Sequence, residues 1–217
     1  CVGLNSVNVT DVLGCVASAS ITITQPAVLT AAITSSTSPL CASVCDGTAG
    51  VTAAGGTTAY TYSWTSGGTA AAETGMCAGT ETVTVTDANG CIATAPVTLT
   101  DPALLTAAVT GIDPLCNGGT NGSADLTTTG GTGVLTYLWD DGSASTSEDV
   151  AGLAAGTYNV TVTDANGCIA TGQVILAEPT LIVLTPAFVA STCGQANGEV
   201  SVSAVGGTGA YTYLWDD

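Results

Sequence analysis

The residues able to do chemistry in this 217-residue chain are nine cysteines and 17 carboxylates, with no Lys, Arg or His among them. A thiol attacks as the thiolate, and no base is present here to form one. General acid–base and Schiff-base catalysis need the missing His and Lys. The chain is therefore read as no enzyme, with no catalytic residue and no cofactor-binding residue assigned. Only an exposed carboxylate pair at glycosidase spacing would reverse that. What remains is disulfide formation in an oxidising compartment and cation binding by carboxylates, with Ca²⁺ the candidate ion.

The charge balance excludes partners as well. At a formal net charge of −17 with no cationic side chain, nothing can neutralise phosphates or anionic headgroups, so nucleic acid and charged lipid surfaces are excluded. The absence of Lys also removes Lys–Asn isopeptide crosslinks, leaving cysteine as the means of covalent reinforcement. Charged residues are only 8% of the chain, so Thr, Ser, Asn and backbone must supply the polar surface. No apolar run reaches 18 residues, so no direct membrane insertion is expected. No signal peptide is present, which for an exported protein implies a mature or excised chain.

The elements that must position the cysteines are repeated. VTVTDANGC ends at Cys91 and again at Cys168, and a weaker copy, VNVTDVLGC, ends at Cys15. YTYSW, LTYLW and YTYLW end at Trp64, Trp139 and Trp215, and Pro26, Pro102 and Pro179 each follow a polar residue. All of these landmarks keep a step of 75 to 77 residues. The period defines two complete units, 27–102 and 103–179, flanked by the C-terminal half of a repeat (1–26) and the N-terminal half of another (180–217). Both ends then fall inside a unit, where a natural domain boundary is not expected.

Within 103–179 the pattern predicts six short strands. They are Leu104 to Thr110, Gly122 to Thr129, Val134 to Trp139, an edge strand over Glu148 to Leu153, Thr157 to Thr163, and Cys168 to Leu176. Alternation puts Leu135, Tyr137 and Trp139 on one face, and Tyr158, Val160 and Val162 on another opposite a row of Thr. Gly130, Gly131 and Gly133 supply a flexible turn, and Asp164-Ala165-Asn166-Gly167 a hairpin turn. Short strands with turns every 8–12 residues predict an all-β chain of tandem immunoglobulin-like β-sandwich repeats of about 76 residues. Trp64, Trp139, Trp215 and Tyr158 are the expected core aromatics, with Tyr158 in the place of a tyrosine corner.

The combination of C–xx–G, a small β-rich strand, GGT, YTYxW and LAAGTYxVTVTDANGC resembles the SprB-type repeat of the giant cell-surface gliding adhesins of Bacteroidota. The matching stretches are Cys116 to Trp139 with Leu153 to Cys168, Cys41 to Trp64 with Gly79 to Cys91, and Cys193 to Trp215. The resemblance implies cell-surface export by the type IX secretion route, adhesion, gliding motility and a long thread of domains. It carries no catalytic residue. The sorting domain of such proteins is not among these residues.

Cysteine positions suggest Cys41–Cys91 and Cys116–Cys168 as bridges within a unit. Each closes about 50 residues, worth about 4 kcal/mol in the chain-entropy model. Cys45 and Cys77 occur only in the first full unit and are expected to pair. Cys1, Cys15 and Cys193 are expected to be unpaired within the chain, their partners lying in the missing halves. Two arrangements stay open: a continuous array seen through a window, or half-units of neighbouring chains completing each other. In the second, Cys193 would meet Cys15 of a neighbour while Cys1 stays single, Asn197 being taken as the counterpart of Cys45. Alignment of Cys1 with Cys77 argues against a lipid-modified N-terminus.

The acidic residues have structural readings beside the metal reading. Asp87 and Asp164 start hairpin turns, where a carboxylate ordinarily accepts its own backbone N–H groups. Asp140, Asp141, Glu148 and Asp149 form the densest cluster and are the weak Ca²⁺ candidates. Asp216-Asp217 repeats its start. Asp101 and Glu178 sit at unit junctions, where Gln25 is the third counterpart. The aromatic strands could stack on sugars, but alternating Trp and Tyr usually pack a core. Sequons begin at Asn8, Asn121 and Asn159.

The expected function is a structural stalk of an extracellular, cell-surface adhesin or filament built from disulfide-stapled repeats. A carbohydrate- or partner-binding module is the alternative, and a filament subunit polymerising through split domains the second alternative. The expected partners are neighbouring repeats of the same chain or identical subunits, with surface glycans as a further candidate.

Overall fold

The computed structural model describes residues 2–216, which fall into two compact units, 1–101 and 102–217. The expectation for Cys1 and half of the Asp216-Asp217 pair therefore lie outside the described residues.

The first unit begins with an antiparallel hairpin of β1 (Gly3–Thr10) and β2 (Val16–Ile23), in register from Gly3↔Ile23 to Thr10↔Val16. A sandwich follows, built from β3 (Thr30–Thr37), β4 (Gly47–Ala54), β5 (Thr61–Trp64), β6 (Ala72–Met76), β7 (Gly79–Thr86) and β8 (Ile92–Leu99). One sheet has the order β3-β4-β6 and the other β5-β7-β8. The chain thus changes sheet after β4, β5 and β6, which puts side chains of both sheets into a single core. Leu29, Val51, Trp64, Met76, Val83, Val85, Val97 and Leu99 fill it.

The second unit repeats this with β9 (Thr106–Ile112), β10 (Gly122–Thr129), β11 (Thr136–Trp139), β12 (Val150–Leu153), β13 (Gly156–Thr163) and β14 (Ile169–Leu176). Its sheets run β12-β10-β9 and β11-β13-β14. All six predicted strands are present, the first displaced two residues toward the C-terminus. Along β13 the buried positions are Val160 and Val162, while Thr157 is exposed and Thr161 and Thr163 are half-buried on the other face, because strand side chains alternate with period two. Gly111 and Gly172 let β9 and β14 close the sandwich. A Cβ on Gly111 would stand 2.5 Å from Leu176 Cδ2, and one on Gly172 2.6 Å from Val109 Cγ2.

The unit ends with a hairpin of β15 (Val183–Val189) and β16 (Glu199–Val205). Residues 180–217 contain no strands in the roles of β13 and β14. Trp64 and Trp139 are core residues at 3% and 1% exposure, but Trp215 is 50% exposed. The expectation that Trp215 is core is thereby corrected: Trp64 and Trp139 end the strands β5 and β11 and are packed by the opposite sheet, whereas residues 211–216 form no strand and the described part of 180–217 has one two-stranded sheet. Tyr158 is half-buried at the core edge, and its hydroxyl donates to Ala154 O at 3.0 Å.

Candidate functional site

Each complete sandwich is held at one end by a carboxylate lock between its GGT and DANG motifs. Asp164 Oδ1 accepts the N–H groups of Asn166 (2.9 Å) and Cys168 (2.8 Å), and its Oδ2 accepts Thr132 N at 2.8 Å. Asp87 does the same with Asn89 (2.9 Å), Cys91 (2.8 Å) and Thr57 (2.8 Å). The first oxygen closes the turn on itself, and the second ties it to the loop between β4 and β5, or β10 and β11. The paired glycines make room. A Cβ on Gly130, where φ is +73°, would lie 2.0 Å from Leu104 O, and one on Gly56 would lie 2.6 Å from Asp87 Oδ2.

Both aspartates are buried. The Thr57 N–H, followed by those of Cys91 and Asn89, holds the Asp87 carboxyl below the usual range against the upward push of burial. For Asp164 burial is the largest single influence and pushes up, but the Cys168, Thr132, Asn166 and Gly167 N–H groups together outweigh it. A carboxylate with both oxygens occupied this way is a structural staple, as the backbone reading of these turns expected. Asp11 Oδ1 makes the same turn bonds to Leu13 N (2.9 Å) and Cys15 N (2.8 Å).

The opposite end carries the early cysteine of each unit. Ser43 N donates to Asp101 Oδ2 at 3.1 Å, and Thr100 N to Ser38 Oγ at 3.1 Å. In the second unit Glu178 accepts Asn117 Nδ2 (2.9 Å) and Gly118 N (2.6 Å). The junction residues Asp101 and Glu178 are therefore engaged in tying down the cysteine loops.

This geometry overturns two expected bridges. Cys91 and Cys116 are exposed free thiols, as are Cys15 and Cys193; Cys41 and Cys168 are disulfide-bonded. Neither Cys41–Cys91 nor Cys116–Cys168 forms. Cys91 precedes the eight-residue β8, whereas the loop carrying Cys41 is bonded to the residues that follow it. At about 3.3 Å per residue a strand of this length separates them by roughly 25 Å, and a disulfide requires Cα atoms roughly 4.4–6.8 Å apart. Cys45 and Cys77 do bond, across 32 residues, because both flank the paired strands β4 and β6. Hydrogen bonding also corrects one alignment. Asp46, Asn121 and Asn197 each accept a loop N–H, from Leu40, Leu115 and Thr192. Asn197 is thus the counterpart of Asp46, and Ala196 that of Cys45.

The acidic cluster disperses. Asp140 accepts Asn159 N and Nδ2, both at 2.7 Å, and these bonds hold its carboxyl below the usual range. Asp141 accepts the Ser145 hydroxyl and N–H, which lower it likewise. Asp149 Oδ1 takes Leu126 N at 2.9 Å. Among the described residues no three His, Cys, Asp or Glu side chains gather where they could hold a metal ion.

The aromatic strand turns inward in both complete sandwiches. Trp64 Nε1 donates to Ala70 O at 2.8 Å, and Trp139 Nε1 to Ser147 O at 3.1 Å, so neither indole face is available to a sugar. The Tyr60 hydroxyl reaches Gly55 O at 2.6 Å, and Tyr211 reaches Gly206 O in the same way. That contact was missed from sequence; its signal was the leading Tyr of YTYxW, replaced by Leu135 in the middle copy. Among the described residues an open apolar cleft is lined among others by Ile182, Leu184, Val202, Tyr213 and Trp215.

Two packed three-stranded sheets, recurring with one period, define tandem immunoglobulin-like β-sandwich repeats. The SprB repeat family matches residues 33–69, 108–144 and 187–217. These three stretches, just under half of the chain, are similar to the SprB repeat. Each matched span covers the cysteine loop and the YTYxW-type segment, and the first two stop short of the DANG turn. No curated protein matches the chain. Among solved structures, the N-terminal four Ig domains of Dscam1 isoform 9.44 share 14% identity over 71% of this chain and 46% of that one, at a TM-score of 0.30. The tetra-tandem repeat in the extending region of a large adhesion protein shares 15% identity over 94% of this chain and 70% of that one, at a TM-score of 0.27. The chain thus spans about half the length of the Dscam1 isoform 9.44 structure, and likenesses this loose carry no functional argument.

Proposed function

We propose that the chain is a stretch of the stalk of an extracellular, cell-surface adhesin or filament, divided into repeat units at 1–26, 27–102, 103–179 and 180–217. One observation carries this reading. The Asp lock, the two-sheet layout and the inward Trp recur at nearly the same spacing in both complete sandwiches. A binding module would concentrate unlike, exposed residues in one unit, whereas here the same residues are spent on packing. Low charge and Thr-rich outer strand faces suit a surface that resists sticking and proteolysis. Glycans and identical subunits are the partners to test.

Single-molecule extension of the oxidised chain tests the stalk. Sandwiches that bear load unfold one at a time, each releasing one unit's length. The Cys45–Cys77 bridge withholds 32 residues, so extension of the 27–102 unit is shorter by about 11 nm at ~3.5 Å per residue. Featureless extension, with no unit-sized steps, would exclude a load-bearing role.

A further inference from the structure

One carboxylate in the 103–179 repeat holds both nitrogens of a single Asn-Gly pair. We propose that Asn117-Gly118 is a self-modification site, at which Glu178 is the base that closes Asn117 into a cyclic imide with release of ammonia. The inference concerns the chemistry of one loop and does not rest on the stalk reading.

The first observation is the geometry. Glu178 Oε2 accepts Gly118 N at 2.6 Å, and its Oε1 accepts Asn117 Nδ2 at 2.9 Å. Asn117 Nδ2 also donates to Pro179 O at 3.1 Å. Both partners of that nitrogen are acceptors only, which fixes which end of the amide faces Glu178. The attacking nitrogen and the leaving nitrogen therefore sit on the two oxygens of one carboxyl group. A general base must reach the proton it removes, and Glu178 is within that reach. The attack is intramolecular, so no second reactant has to be gathered.

The second observation is the backbone. Gly118 has a φ of +72°, which glycine adopts at no steric cost. Beyond its chain neighbours, no heavy atom lies within 4 Å of the place a Cβ would take, so the attacking residue is uncrowded. Asn117 is exposed, which gives water access to the imide.

The third observation is the contrast with the other pairs. The chain has five Asn-Gly pairs, at Asn89, Asn117, Asn121, Asn166 and Asn197. In the DANG turns Gly90 N donates to the backbone carbonyl of Asp87 and Gly167 N to that of Asp164, both at 3.0 Å. Asn89 Nδ2 donates to the Thr57 hydroxyl, away from any base. Asn121 and Asn197 are anchored through Oδ1, which accepts Leu115 N and Thr192 N. Tying the loop does not itself require the reactive pair. In the first complete repeat Asp101 Oδ2 accepts Ser43 N at 3.1 Å, with Ala42 where Asn117 stands.

The step balances without an oxidant or reductant. The bond from Gly118 N to Asn117 Cγ forms, and the bond from Cγ to Nδ2 breaks. The Gly118 proton passes to Glu178 and from there to Nδ2, which leaves as ammonia. Glu178 ends as the carboxylate it began as. Water then opens the ring at either carbonyl, giving Asp or isoaspartate at 117. The product sets a second carboxyl group against Glu178, where an amide had donated.

The test incubates the folded 217-residue chain at neutral pH in water carrying heavy oxygen. Digestion in ordinary water with a non-tryptic protease and mass spectrometry then read the label in each Asn-Gly peptide. Asn117 should take up label about tenfold or more faster than the other four, and all five should converge in denaturant. Glu178→Gln keeps an acceptor for Gly118 N but removes the base, and should slow Asn117 by about tenfold or more. A Glu178 that only ties the loop has the opposite sign: its replacement frees the loop and speeds the reaction toward the denatured rate. The Tm of 103–179 reports whether the variant is folded, and the comparison of folded with denatured chain needs no variant. Asn117 no faster than the other four in the folded chain, or an unchanged or quickened rate in folded Glu178→Gln, would overturn the proposal.

Discussion

Asp164 Oδ2 and Thr132 N lie 2.8 Å apart across 32 residues of sequence, and this bond joins the last hairpin of a repeat to the loop after its second strand. Asp87 and Thr57 repeat it across 30 residues, at the same distance of 2.8 Å. Asp164→Ala leaves three backbone donors without their acceptor, a larger loss than that of one average hydrogen bond. We expect the Tm of the 103–179 sandwich to fall by several degrees, with Asp164→Asn recovering only part of it because the charge is lost. Differential scanning calorimetry checks this, and an unchanged transition would show the lock to be dispensable.

The pH dependence follows from the same carboxylates. Asp87, Asp140, Asp141 and Asp164 all lie below the ordinary 3.8 in the folded chain. A group depressed on folding contributes stability that is present above its unfolded pKa and lost as pH falls through the folded one. Stability should therefore hold at neutral pH and collapse on acidification below 3.8. With no His in the chain, no side chain of that type titrates near neutrality. Tm measured from pH 2 to pH 8 tests the shape; a midpoint of loss near pH 6 would contradict it.

The Cys45–Cys77 bridge should stabilise one repeat alone. Closing 32 residues is worth about 3.7 kcal/mol by the loop-entropy relation. Cys45→Ser with Cys77→Ser should lower the stability of 27–102 by about that amount and leave 103–179 unchanged. Cys116→Ser should leave the stability of 103–179 unchanged, since Cys116 is free. Urea unfolding followed through each unit distinguishes these cases. A loss in 103–179 on Cys116→Ser would mean a bridge inside that sandwich.

The Trp residues separate by environment. Trp139→Ala removes a 1%-exposed side chain and should cost about 3–5 kcal/mol. Trp215→Ala should leave the melting of 103–179 within ±0.5 kcal/mol, roughly the effect of an ordinary surface change. Acrylamide quenching of single-Trp variants checks the premise: Trp215 should quench strongly in the dilute, reduced chain, and Trp64 and Trp139 weakly.

What the sequence by itself determined is local and periodic. Alternation of Val and Thr along 156–163 sets a strand with one wet face. Asp164-Ala165-Asn166-Gly167 sets its turn through a carboxylate next to its own N–H groups, and the 76-residue step repeats the whole unit. The pairing of Cys45 with Cys77 was legible because both occur in only one unit. Only the tertiary structure decided which cysteines can meet. Cys116 and Cys168 are 52 residues apart in either description, but strand length carries them to opposite ends of the sandwich, and spacing in sequence holds no record of strand direction. The same holds for Trp215. Its segment is written like the strands of Trp64 and Trp139 but forms no strand; burial belongs to the opposing sheet, and a side chain's own sequence does not say whether that sheet is there.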